Sequence, residues 1–122
     1  MTEAAAERPQ DSRRTLAEVA SLAWKLADAL AGELEQAPPS RTQAGQAMLR
    51  FAGRRLDTLL AQGDLRLVTF DGQDWGAQIP ANPINPDEVE GCETVAVDRT
   101  VEPTILCGTD VVLPGRILLR KA

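Results

Sequence analysis

Histidine and tyrosine are absent from this 122-residue chain, and lysine occurs only at Lys25 and Lys121. Without histidine there is no Ser–His or Cys–His pair, no imidazole ligand for zinc, and no imidazole general base. The serines and threonines therefore lack a base to activate them. Neither lysine closes a glycine-rich run with a following Ser or Thr, so no phosphate-cradling loop is present. Aromatic residues make up 3% of the chain and are limited to Trp24, Phe51, Phe70 and Trp75. No apolar run is long enough to span a bilayer. The opening segment MTEAAAERPQDSRR has no apolar stretch before a small-residue cleavage site, so a cytoplasmic protein is expected. Cys92 and Cys107 form no CxxC pair. Two readings of them stay open, small buried residues in strands or a cross-strand disulfide.

Hydrophobic residues are 43% and charged residues 25%, enough for one core. With 13 basic and 18 acidic residues the net charge is −5, and an acidic chain gains nothing from counterion release on nucleic acid. The acidic set Asp87, Glu88, Glu90 and Glu93 lacks the alternating ligands and central glycine of a calcium loop and reads as a solvated rim. Arg50, Arg54 and Arg55 form a basic cluster, read either as a solvated helix face or as a partner contact. The expectation is a binding protein, not an enzyme, with no cofactor, no metal site, no nucleic acid and no membrane partner.

Residues 1–11 are polar and Pro-interrupted and are expected to be a disordered tail. Ser12, or Asp11, can then cap a helix whose Leu16, Val19, Leu22, Ala23, Leu26, Leu30 and Leu34 recur at helical steps. Ala37-Pro38-Pro39 ends it near Gln36. Ser40 or Thr42 caps a second helix with Ala44, Ala47, Met48, Phe51, Ala52, Leu56, Leu59 and Leu60 on one face, and Gly63 is the expected left-handed stop. The short linker makes residues 12–63 an antiparallel hairpin. Beyond it the period changes to two. Strands are expected at 65–70, around Trp75, at 94–101, 105–107, 111–113 and 117–119, with 80–91 as a Pro-rich loop. The fold class is α+β, a helical hairpin followed by a small antiparallel β domain over 64–122.

Opposite the leucine stripe of the first helix runs a track of small residues, Ala17, Ala20, Ala27 and Ala31, with Trp24 beside it. One hairpin covers one such face, so a second copy of the chain is expected on the other, giving a homodimeric four-helix bundle. The interface is expected at Ala20, Trp24, Ala27, Leu30 and Ala31. The competing expectation is that the β domain folds back over Trp24.

This layout resembles the GrpE family, the nucleotide exchange factors of DnaK-type chaperones. Gly108-Thr109-Asp110-Val111-Val112-Leu113-Pro114-Gly115-Arg116-Ile117 is similar to the family pattern G-D-R-V-L-R-P-A-R-V, with identities at Gly108, Val111, Pro114 and Arg116. Glu90-Gly91 followed by Thr94-Val95-Ala96-Val97 resembles P-E-G-T-V-V with a short insertion, and residues 65–72 with Trp75 resemble the entry strand. The layout covers residues 12–122, but the specific residues lie within 90–119. The chain departs from the family at F-D-P-x-x-H-E-A, which has no counterpart in 76–84. Thr104-Ile105 stands at the Gly-aromatic pair, Asp110 stands where the family has a basic residue against the chaperone, and no long stalk precedes the first helix. The resemblance implies a β domain that binds the chaperone ATPase domain and promotes ADP release. The contact residues expected on that basis are Gly108, Thr109, Asp110, Val111 and Val112 at the hairpin tip, with Asn82, Asn85 and Glu88 in the loop. A dimeric adaptor on the same scaffold with a different partner is the alternative.

Overall fold

The computed structural model describes the backbone of residues 2–122 and the side chains of residues 11–122. Helices α1 (Thr2–Leu34) and α2 (Pro39–Gln62) precede β1 (Arg66–Val68), β2 (Ala81–Pro83), β3 (Val95–Glu102), β4 (Thr104–Cys107), β5 (Asp110–Leu113) and β6 (Gly115–Lys121). The class is α+β. None of the described helices is long and apolar enough to cross a membrane.

α1 starts ten residues before the Ser12 cap (12 − 2), so the segment expected as a tail is helical. Glu3, Ala4, Ala5, Ala6 and Glu7 are strong helix formers and carry the helix through Pro9, which forgoes one backbone bond. At its other end α1 loosens, with the Gln36 and Ala37 amides donating to the Glu33 and Leu34 carbonyls. α2 opens with Pro39 in its first turn and no side-chain cap, so neither Ser40 nor Thr42 plays that part. The Thr42 hydroxyl instead lies 3.1–3.2 Å from the carbonyls of Leu34, Ala37 and Pro38, holding the two helix ends together. Gly45 leaves room for the buried Leu34 side chain, which a methyl group there would strike.

α2 ends in a Schellman motif. The Leu65 amide donates to the Leu60 carbonyl at 2.9 Å and the Asp64 amide to that of Ala61 at 3.0 Å. The left-handed residue is Asp64 (φ 59), not Gly63, whose φ of −98 suits any residue. Gly63 serves a different purpose: a methyl group there would lie 2.9 Å from Leu16 of α1.

The strands form two three-stranded sheets, ordered β1-β4-β5 and β2-β6-β3. All pairs are antiparallel except β2 with β6, so the β domain is mixed and not purely antiparallel. The Pro-rich loop expected over 80–91 therefore contains an edge strand, which tolerates Pro83 because an edge leaves N–H positions unpaired. A 3-10 turn, Pro86–Val89, follows it. The strand expected around Trp75 is reduced to one bridge, Asp74 to Ala96. Its segment still covers the free edge of β3, with Gly72 and Trp75 donating to Val97 and Val95 and accepting from Val97 through Gln73.

The chain passes from one sheet to the other three times, between β1 and β2, at Pro103 and at Pro114, and the last two crossings lie side by side. Thr104, fully buried, donates its hydroxyl to the Pro80 carbonyl at 2.8 Å and accepts from the Gly115 amide at 2.9 Å. Gly115 must lack a side chain, because a Cβ would come within 2.5 Å of the Glu102 carbonyl and 2.8 Å of the Thr104 amide nitrogen.

Each sheet has its own core. Phe70, Ile79, Ala81, Val97, Ile117 and Leu119 pack on the β2-β6-β3 sheet. Ala17, Ala20, Leu60, Leu65 and Ile105 join the helical hairpin to the β1-β4-β5 sheet. A surface network adds to this join, with Glu102 Oε1 taking Lys25 at 3.2 Å and Arg116 at 3.6 Å.

Thr104→Val is expected to cost about 2–4 kcal/mol, since two buried backbone groups lose their partner, and Gly115→Ala at least about 2 kcal/mol from the backbone clash. Asp64→Gly is expected to stabilise by up to about 1 kcal/mol by relieving the left-handed strain. Urea unfolding of the three variants checks all of these.

Candidate functional site

The expected contact residues at the tip belong to the turn between β4 and β5. Cys107 pairs with Asp110, leaving Gly108-Thr109 as a two-residue turn. Gly108 takes φ 62, the first central position at which such a turn calls for glycine. Gly108, Thr109, Asp110 and Val111 are exposed. Val112 is not free in the same way, since with Cys107 and Leu113 it packs against the Ala17–Ile105 core cluster. The tip faces α1 across a cleft of about 360 Å³ lined by Arg13, Arg14, Cys107 and residues 110–112. Arg13 and Arg14 are themselves paired with Asp64 (3.8 Å) and Glu18 (3.4 Å).

The loop residues lie elsewhere. Asn82 is exposed on β2, opposite Arg116. Asn85 is occupied structurally: its side chain accepts from the Leu119 amide at 2.7 Å and donates to the Leu119 carbonyl at 3.0 Å and to Glu88 at 2.7 Å. It thereby extends the pairing of β6 past the end of β2. Tip and loop belong to different sheets: the tip joins β4 to β5, and the loop lies against β6 at Arg116 and Leu119. Both cysteines are free thiols and half-buried; Cys107 is in β4, whereas Cys92 lies in the loop before β3. A cavity of about 570 Å³ forms an open trough bordered by Glu88, Glu90, Cys92, Glu93 and Lys121. Among the described residues no group of acidic and cysteine side chains is arranged to hold a metal ion.

The helical surfaces differ in part from those expected. Ala17 and Ala20 are fully buried within the chain, and Ala27 and Ala31 are half-buried. Ala20 is thus unavailable to a second copy. Of the leucine stripe expected inside the hairpin, Leu34 is buried and Leu16 packs on the shared core, whereas Val19 (58%), Leu22 (56%), Leu26 (65%) and Leu30 (41%) are exposed. Small side chains take the inner position because they let α1 approach α2 and the β domain closely, while Gly45 and Gly63 of α2 make room for Leu34 and Leu16 of α1. Met48 and Phe51 of α2 are exposed to a similar degree. Between the helices lies an apolar groove of about 340 Å³, lined by Ala23, Trp24, Ala27, Phe51, Leu56 and Leu59, with Arg55 at its rim. Trp24 is therefore half-buried in this groove, while the β domain packs on α1 at Ala17, Ala20 and Lys25 to either side of it.

The outward stripe was legible as apolar periodicity but not as exposed. Periodicity alone does not separate an alanine track that packs closely from a leucine stripe left outside. Arg50, Arg54 and Arg55 enter none of the ion pairs among the described residues. The chain matches no family model, no curated protein and no solved structure.

Asn85→Ala is expected to cost about 1–2 kcal/mol and to speed exchange of the Leu119 amide, which loses its acceptor. Asn82→Ala is expected to stay within about 0.5 kcal/mol of the parent, as exposed substitutions do. Hydrogen exchange read residue by residue checks the pair.

Proposed function

We propose that this chain is a non-enzymatic, cytoplasmic co-chaperone of GrpE type, acting as a homodimer on the ATPase domain of a DnaK-type chaperone. The observation that supports it most is the β4–β5 turn. Its tip is exposed at Gly108, Thr109 and Asp110, while its base at Cys107, Val112 and Leu113 is packed into the core shared with the helical hairpin. A projecting tip on a fixed base suits a protein that works by wedging. The order of elements, hairpin then β domain, agrees with the resemblance carried by residues 108–117.

The mechanism is mechanical. A β domain that binds the open form of the chaperone's nucleotide cleft ten times more tightly than the closed form shifts that equilibrium tenfold, about 1.4 kcal/mol. ADP then leaves faster. No side chain of this chain transfers a proton or forms a bond.

Asp110 favours a second reading, an adaptor on the same scaffold. An acidic tip repels an acidic surface that a basic residue would attract, so it selects a different partner.

Release of fluorescent ADP from the host's DnaK-type chaperone separates the two. Dose-saturable acceleration, increased further by Asp110→Arg, is the expected result. No acceleration by correctly folded protein would overturn the co-chaperone reading in favour of the adaptor.

A further inference from the structure

The exposed apolar face of the hairpin has a composition that specifies its own occupant. Val19, Leu22, Leu26 and Leu30 fall within about 80° on the α1 wheel, and all are more than two-fifths exposed. Met48, Phe51 and Leu59 form a second stripe on α2. The groove lined by Ala23, Trp24, Phe51 and Leu59 makes the two stripes one surface. These seven large apolar side chains are each 38–65% exposed. Monomers seldom leave so large a contiguous apolar patch in water.

Charge narrows the choice of occupant. Glu18 and Glu33 border the α1 stripe, while Arg41 and Arg55 lie within the α2 stripe. α2 carries four arginines against one acid, Asp57. The basic side chains of α1 among the described residues are already engaged, Arg13 with Asp64, Arg14 with Glu18 and Lys25 with Glu102. On the face itself, Glu33 and the Arg14-paired Glu18 stand on α1, whereas Arg41 and Arg55 stand on α2. A surface of this kind is complementary to itself when turned about a two-fold axis.

We infer that a second copy of the chain covers this face, with the α1 stripe of each protomer lying on the α2 stripe of the other. Leucines of one α1 fill the Trp24–Phe51 groove of the partner, and Glu18 and Glu33 come opposite the partner subunit's Arg41 and Arg55. This rests on the homodimer in the proposed function but places it on different residues from the alanine track. It also fixes the pairing as α1 on α2, not α1 on α1.

The test has two parts. Sedimentation of the full chain is expected to give twice 13.1 kDa. Leu26→Glu, at a position 65% exposed in the protomer and so harmless to its fold, is expected to weaken the dimer about 100-fold. A mass of one chain at every concentration, or a dimer untouched by Leu26→Glu, overturns the inference; the first outcome means that a different protein covers the face.

The second part reads the pairing. Arg41→Glu with Arg55→Glu leaves both stripes acidic, and Glu18→Arg with Glu33→Arg leaves both basic. Each variant alone is expected to dissociate, and an equal mixture is expected to recover a mixed dimer, because every α1–α2 contact is then complementary. Failure of the mixture to recover overturns the α1-on-α2 arrangement. Circular dichroism of each variant confirms the helices. The ADP-release readout is separate: a dimer with these properties and no effect on ADP release leaves the interface standing and removes the co-chaperone.

Discussion

The hydroxyl of Thr104 is where the β domain is held together. Two strands change sheets at neighbouring points, and wherever two backbones cross inside a protein their polar groups lose water and need partners. Thr104 supplies both a donor and an acceptor at the crossing, to Pro80 and from Gly115. Pro103 and Pro114 turn the chain on either side without leaving amides to satisfy. Gly115 permits the close approach that makes the bonds short. The corner joins the β1-β4-β5 sheet, which carries the exposed tip, to the β2-β6-β3 sheet, and Val68 and the Phe70–Thr100 bond add a second link between them. The ion pairs of Glu102 lie just outside the same corner and are too exposed to replace it.

A similar economy governs the join between helices and strands. The shared core is built on Ala17 and Ala20, not on the larger side chains of α1. Close approach lets Leu60, Leu65 and Ile105 reach one another across the join. The consequence is that the bulkier half of the apolar residues of α1 is left outside. A helix with two apolar faces is stable on its own only in part, and the exposed half carries a demand for a partner into the quaternary structure.

The sequence was most legible where one local rule decides. The two helices, their antiparallel hairpin, the strands at 94–101, 105–107, 111–113 and 117–119, and the turn at Gly108 all follow from period and turn chemistry, within a residue or a few at the ends. It was least legible where two rules compete. The start of α1 sets helix propensity against Pro9, and the β2 edge strand sets pairing against Pro83. Which face of α1 turns inward depends on volume, and periodicity counts leucine and alanine alike. The candidate site divides in the same way. Thr109 and Asp110 are exposed as a turn requires, whereas Asn85 and Val112, indistinguishable in sequence from surface residues, are bound into β6 and the core by contacts distant along the chain.

Because the chain leaves and re-enters the β2-β6-β3 sheet at adjacent prolines, the β4–β5 hairpin is anchored at one place with its two ends side by side. An excursion of that shape is modular: its tip can lengthen, shorten or change sign while both anchor points stay where they are. A few turn residues can therefore be replaced with the scaffold that presents them untouched.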